Sequence, residues 1–313
     1  MQRITLSTGR NGVSERKQFI IGSKSDAVSI EHMSRAIASL REAHPRYEFI
    51  GWPETLRDGK NIEDVQRDLN GALHALAKKE FDVLVVDARE VPLRDSTKVA
   101  RAAVTRRGNP YDVFVSRGGM ILDELPEKSH LAADAPVRRG QLLFYRPDLA
   151  LIDEVGDFRF YYGLLDEGEI SGFVSNASDV EALNVQDKVA EVFTSSICMP
   201  AANQGAQMVF VRKDDREAYE AVREINDAAS EREIEIERIF MTHIAKNGKG
   251  PIGVLANVEG ESFMIEAAVV APDGSEKVSG NCEGRLDRAE PVLEKLASEM
   301  IESGAREILS AFK

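Results

Sequence analysis

The segment FDVLVV (81–86) constrains the fold more than any other part of the chain. It is a nearly continuous apolar run, dense in valine and too short for an ordinary helix. A run of this kind suits a strand covered on both faces, as in a parallel or mixed sheet. Its neighbours follow the same plan. FIIGS (19–23) reads as a second short buried strand, and Ile30, Met33, Ile37 and Leu40 after it share one helical face. A Pro-containing link and the run EFIGW follow, and then Ile62, Val65, Leu69, Leu73 and Leu76 fall at helical spacing over 61–79. Strand, helix, strand, helix, strand is the rhythm of a doubly wound α/β domain. With 313 residues the chain holds about two such domains, or three if one is small.

A second unit begins near Asn109-Pro110. The spacing predicts a strand over Val113 to Ser116, a helix over 138–145, a break at Pro147-Asp148, a helix over about 157–166 and a strand (ISGFV) from Ile170. AQMVFVR (206–212) is a further strand, and Asp214 to Asn226 forms a charged amphipathic helix. From about residue 227 the pattern changes. A long helix carrying Ile234, Ile239, Phe240 and Ile244 leads to two strand-like runs, GVLANV and SFMIEAAVV, and to a turn at Pro272-Asp273-Gly274. A helix built on Val292, Leu293, Leu296 and Met300 follows, making an α+β unit.

Charge and cysteine content narrow the function. Acidic residues number 53 against 40 basic ones, a net charge of −13, which argues against nucleic acid or an anionic membrane surface as partner. A local basic cleft for a small anion stays compatible with it. The two cysteines, Cys198 and Cys282, form no C-x-x-C pair, and the five histidines do not cluster with them, so no metal site is expected. A disulfide framework is not expected either, which points to a reducing compartment. The opening MQRITLSTGRNGVSERKQ lacks the apolar core of a secretory signal, and no stretch approaches the roughly 18 apolar residues of a membrane span. These readings give a cytoplasmic chain with no membrane partner.

Three segments could carry chemistry. In LAADAPVRRGQLLFYRPDL (131–149), Asp134 suits an N-cap and Pro136 a first helical turn, which puts Arg138 and Arg139 near a helix N-terminus. Such a corner suits a carboxylate or phosphate, although with 53 acidic residues in the chain the pattern alone favours pairing of both arginines with acidic neighbours. DAREVP (87–92) directly follows the buried run, and ligands of open α/β sheets collect at the carboxyl ends of strands. Asp87, Arg89 and Glu90 are therefore placed to line a crevice. KNGKGPIG (246–253) lacks the full phosphate-loop pattern and a preceding strand, and fits a connector.

Taken together, the segments resemble the porphobilinogen deaminase (hydroxymethylbilane synthase) family. FDVLVVDAREVP resembles I-D-x-A-V-H-S-x-K-D-V-P, RRGNPYDVFVS resembles R-x-D-P-R-D-A-x-V-S, and DAPVRRGQLLFYRPDL resembles T-S-S-x-R-R-x-x-Q-L with R-P-D-L. LLDEGEISGFV, MPAANQGAQMVFVR, GPIGVLANVEG and ESGAREIL follow in family order from about residue 19 to 311. The resemblance implies two doubly wound domains like those of type 2 periplasmic binding proteins plus a small α+β C-terminal domain. The corresponding ranges are 17–106 with 200–222, then 107–199, then 223–313. It implies a monomeric transferase of tetrapyrrole biosynthesis that condenses four porphobilinogen units head to tail, losing ammonia each time, on a dipyrromethane cofactor bound to a cysteine. A polycarboxylate chain of this kind needs a basic, preorganised cleft.

Carried over by position, Glu90 stands for the catalytic aspartate, one methylene longer. Arg89 stands for the adjacent lysine and Lys24 for an arginine of the family's T-R-x-S segment. Arg138 and Arg139 match the double arginine, with Ala135 and Pro136 in place of two serines. Lys24, Arg89, Arg138 and Arg139 are thus the expected substrate-binding cations, and replacing either paired arginine should weaken binding without unfolding the chain. Val155 and Tyr161 replace two further arginines. Gly248 falls where the cofactor-bearing cysteine belongs and has no nucleophile to form a thioether. Lys249 beside it is a possible cofactor contact, and Cys198 or Cys282 a substitute anchor. Two functions follow. One is the family reaction with the dipyrrole held without that cysteine; the other is a non-catalytic paralogue that binds a pyrrole, tetrapyrrole or other polycarboxylate. A solute-binding protein of related fold is a third, disfavoured by the missing signal sequence.

Overall fold

The computed structural model describes residues 17–53, 62–93, 96–247 and 250–311. The first lobe starts with β1 (Gln18–Ser23), α1 (Ala27–Ala43), β2 (Glu48–Pro53), α2 (Ile62–Ala77), β3 (Val83–Asp87) and β4 (Val99–Val104). Asp26 caps α1 by accepting from the Ser29 amide at 2.9 Å. The helix lays Met33, Ala36, Ile37 and Leu40 on the sheet. Leu69, Ala72 and Leu76 of α2 cover the opposite face, so Val83 to Val86 are buried from both sides, as the continuous apolar run predicts.

The chain then crosses to the second lobe. This lobe contains β5 (Asp112–Ser116), β6 (His130–Ala132), α3 (Pro136–Tyr145), β7 (Ala150–Leu151), α4 (Phe158–Glu167), β8 (Gly172–Asn176), α5 (Ala177–Ala182) and β9 (Glu191–Val192). It returns to the first lobe as β10 (Gln207–Arg212) and α6 (Arg216–Arg223). The expected helix over Asp214–Asn226 is shorter at both ends, because Asp215 caps it through the Ala218 amide and the chain turns at Ile225 and Asn226 toward the next helix.

The two sheets repeat one plan. The first has the order β2-β1-β3-β10-β4 and the second β7-β6-β8-β5-β9. In each, three parallel strands are followed by an antiparallel strand that has just crossed from the other lobe. This is the doubly wound, twice-crossed arrangement that the sequence resemblance implies. The crossings touch where Gly108 N donates to the Gly205 carbonyl at 2.8 Å. Gly205 has φ +85°, a conformation that favours glycine. A Cβ at Gly108 would lie 2.9 Å from that of Ser178, so glycine lets the hinge pass close to α5.

A third unit comprises α7 (Ala228–Ile244), the antiparallel strands β11 (Ile252–Glu259), β12 (Ser262–Val270) and β13 (Lys277–Arg285), then α8 (Ala289–Met300) and α9 (Arg306–Ala311). The strand β13 is mostly polar, which hides it in the sequence. A buried carboxylate is one of the ties between the third unit and the hinge. Glu237 of α7 accepts from Arg107 Nη1 at 2.7 Å, from the Asn203 amide at 2.5 Å and from the Ala256 amide at 3.0 Å. Among the described residues, no helix is long and apolar enough to cross a membrane.

Candidate active site

The carboxyl ends of β1 and β3 in the first lobe meet the turn after β8 in the second. Lys24 follows β1 directly and forms an ion pair with Glu90, the last residue of a single 3-10 turn after β3. Asp87 opens that turn and accepts from the Arg89 amide at 2.8 Å. Its carboxylate also takes the Arg89 guanidinium side-on, with Nε at 3.0 Å and Nη2 at 2.7 Å. The same Nη2 reaches Asp179 of α5 at 3.4 Å, an ion pair that spans the crevice between lobes. Three of the sequence candidates, Lys24, Arg89 and Glu90, are thus brought together.

Their electrostatics differ. Burial raises the Glu90 carboxyl above its ordinary range, against the pull of Lys24 and with the Asp87 charge adding to the rise. Burial would lower the Lys24 ammonium, but the charge and hydrogen bond of Glu90, with the charges of Asp26 and Asp87, together outweigh it and the net direction is upward. Burial would also discharge Arg89; Asp87 and Asp179 more than offset this and hold it firmly cationic. Burial raises the Asp179 carboxyl, with Arg89 opposing. His32 of α1 is pushed down by burial, despite Asp179 nearby. Five atoms of this region are buried with no hydrogen-bond partner among the described residues: His32 Nε2, Glu90 Oε2, Asn176 Nδ2, Ser178 Oγ and Asp179 Oδ1. His32 and Ser178 also line a cavity of about 470 Å³ that runs along α1 and the hinge.

The double arginine sits deeper in the second lobe. Arg138 is only 4% exposed. Its Nε and Nη2 hold Asp112 at 3.1 and 2.7 Å, and its Nη1 holds Asp134 at 2.6 Å. Gln204 of the returning crossing donates to the same Asp112 at 2.7 Å, so the pair ties α3 and β5 to the hinge. Asp134 was expected as the cap of α3. The cap position belongs to Ala135, without a side-chain bond, because Asp134 is taken by the arginine four residues on. Pro136 does occupy the first turn. Arg139 instead reaches the Ile152 carbonyl and, at 3.0 Å, the exposed carboxylate of Asp153.

Gly248 and Lys249 lie outside the described residues. Both possible substitute anchors are placed. Cys198 is fully buried beside Asp112 and Gln141, and burial pushes its thiol well up, which makes it a poor nucleophile. Cys282 of β13 packs against the core of the third unit, where burial also raises its thiol. The sequence reading missed Asp112, His32, Asn176, Ser178 and Asp179. The rule that singled out 87–90, a polar turn at the carboxyl end of a buried strand, applies equally to NASD (176–179) after β8.

A family model described as porphobilinogen deaminase, dipyromethane cofactor binding domain, matches residues 69–220, and one described as porphobilinogen deaminase, C-terminal domain, matches 232–302. The porphobilinogen deaminase of Desulforudis audaxviator is 30% identical over 303 residues, covering 94% of this chain and 98% of its own length. That of Thermus thermophilus is 27% identical over 297 residues, covering 94% and 99%. Among solved structures, substrate binding domain 2 of Lactococcus lactis GlnP superposes with a TM-score of 0.42 at 11% identity, over 68% of this chain and 88% of that one.

Proposed function

The chain belongs to the porphobilinogen deaminase family, and on that premise we propose that its crevice binds porphobilinogen and condenses it with loss of ammonia, using Glu90 and no thioether-bound primer. One observation carries the reading. Glu90 is a half-buried carboxylate held through one oxygen by Lys24, while its shielded Oε2 has no hydrogen-bond partner among the described residues. An acceptor in that state is complementary to a pyrrole N–H. It also opposes the positive charge that spreads over the ring when the carbon–nitrogen bond to the departing ammonia breaks. Its raised pKa brings it nearer the range useful for moving a proton at that ring. Lys24 orients Glu90. Arg89 and Arg139 are the guanidinium groups offered to the acetate and propionate arms, and Arg138 braces the second lobe beneath them.

The residues present do not fit a dipyrrole tethered through sulfur. Gly248 has no side chain to attach, and the two cysteines of the chain are buried or packed into a core. The reading therefore routes no step through a covalent primer.

A second reading is a non-catalytic binder of a pyrrole or other carboxylate-bearing ligand. It is favoured by the internal pairing of Arg89, Arg138 and Arg139 with carboxylates of the chain itself. Incubation with porphobilinogen separates the two. Consumption that disappears in Glu90→Ala, from a protein whose intact mass equals its sequence mass, supports the enzyme. Binding without turnover, even with added preuroporphyrinogen, supports the second reading. A mass excess of one dipyrrole refutes the untethered site.

A further inference from the structure

We propose that Asp179 determines specificity in the crevice, forming a subsite for a protonated primary amine. This deepens the function proposed above and rests on it in one respect: there the amine is the aminomethyl group of porphobilinogen. Asp179 reaches Arg89 across the crevice through the 3.4 Å contact. Its other oxygen, Oδ1, is buried without a hydrogen-bond partner among the described residues. A carboxylate oxygen only accepts, so it calls for a donor. An ammonium group has three N–H donors and a positive charge, and meets that need.

The local charge supports the same ligand. Lys24 and Arg89 supply two positive charges, while Asp87, Glu90 and Asp179 supply three negative ones. His32 beside them is kept neutral by burial. One cation completes the balance. The preceding residues give an independent indication. Asn176 and Ser178 are 1% and 3% exposed, yet Asn176 Nδ2 and Ser178 Oγ have no partner among the described residues. The Asn176 side-chain oxygen accepts from the Ser178 backbone N–H at 2.9 Å, which leaves its NH₂ to donate. One turn of the second lobe thus offers an acceptor for an amine and a donor for a carboxylate, the two polar groups of an aminomethyl pyrrole acid.

The test compares the dissociation constants of porphobilinogen and an analogue with methyl in place of aminomethyl, with both carboxylates kept. The unmodified chain should prefer the amine by at least about tenfold, the scale of a charge-assisted hydrogen bond. Asp179→Asn should bring that ratio close to one, and Asp179→Ser serves if the first variant does not fold. A purely structural role for Asp179 would change stability but leave the ratio alone. Equal affinities in the unmodified chain, or an unchanged ratio in a folded variant, overturn the proposal. If neither pyrrole binds, the porphobilinogen reading falls and benzylamine decides the subsite. A rise in melting temperature for the unmodified chain that Asp179→Asn loses supports it, and no rise, or equal rises in both, refutes it.

Discussion

Arg138 and Arg89 stand in contrasting surroundings although both border the crevice. Arg138 is buried, and its contacts with Asp112 and Asp134 all lie within the second lobe. Arg89 is held side-on by Asp87 of its own turn but extends one nitrogen to Asp179 of the other lobe. A pair closed within one lobe braces that lobe. A contact between lobes lies where a ligand must enter, and its under-satisfied oxygens can be taken over by ligand donors. Position relative to the crevice, more than residue type, separates a framework cation from a recognition cation.

The contrast breaks most directly at Arg138. Arg138→Ala leaves the Asp112 carboxylate buried with Gln204 and the Cys198 thiol as its remaining side-chain partners. Losing one partner of a buried ion pair typically costs about 3–5 kcal/mol. Urea denaturation should show a loss of that order, and a loss below about 1 kcal/mol would remove Arg138 from the framework. This replaces the expectation from sequence that the substitution weakens binding without unfolding. Glu90→Gln tests the recognition side. It should lower porphobilinogen turnover by about a hundredfold or more while leaving the melting temperature nearly unchanged.

Much of this was legible in the sequence. Continuous apolar runs and helical spacing gave β1, β3, α1 and α2 because burial on two faces leaves a plain signature. The turn at 87–90 was found because a polar cluster after such a run marks a strand end. The pairing was not legible. Asp112 and Arg138 are 26 positions apart and meet through the packing of α3 beside β5, and Arg89 and Asp179 are 90 apart and meet through the crossing topology. Local spacing also misassigned Asp134, since its competition between capping α3 and pairing with Arg138 is settled by where the guanidinium must lie to reach Asp112. The strand β13 escaped because its exposed polar face carries no apolar alternation strong enough to register.

Asp179 gives a smaller effect of opposite sign. Burial raises its folded-state pKa above the ordinary 3.8, so its contribution to stability is full below that value and is lost as pH rises through the folded pKa. Near neutral pH the carboxylate is therefore a liability to the ligand-free fold. Asp179→Asn should raise stability at pH 7 by on the order of 1 kcal/mol, the scale of an unmet buried polar group. The gain should shrink as pH falls toward 4. Melting curves across that range check this, and a variant less stable than the parent at pH 7 would mean that Arg89 needs Asp179 for the fold.

Arg139 should give the smallest change in stability and the sharpest separation from its neighbour. Its carboxylate partner, Asp153, is 97% exposed, so water and salt screen the pair. Arg139→Ala should cost under about 1 kcal/mol in urea denaturation, against several for Arg138→Ala. A ligand carboxylate can replace Asp153 at little cost, whereas it cannot displace Asp112 from its buried contacts. Affinity for porphobilinogen should therefore fall several-fold in a folded Arg139→Ala protein. If the two alanine variants lose equal stability, both arginines belong to the framework, and the carboxylate arms of the ligand must be met elsewhere in the crevice.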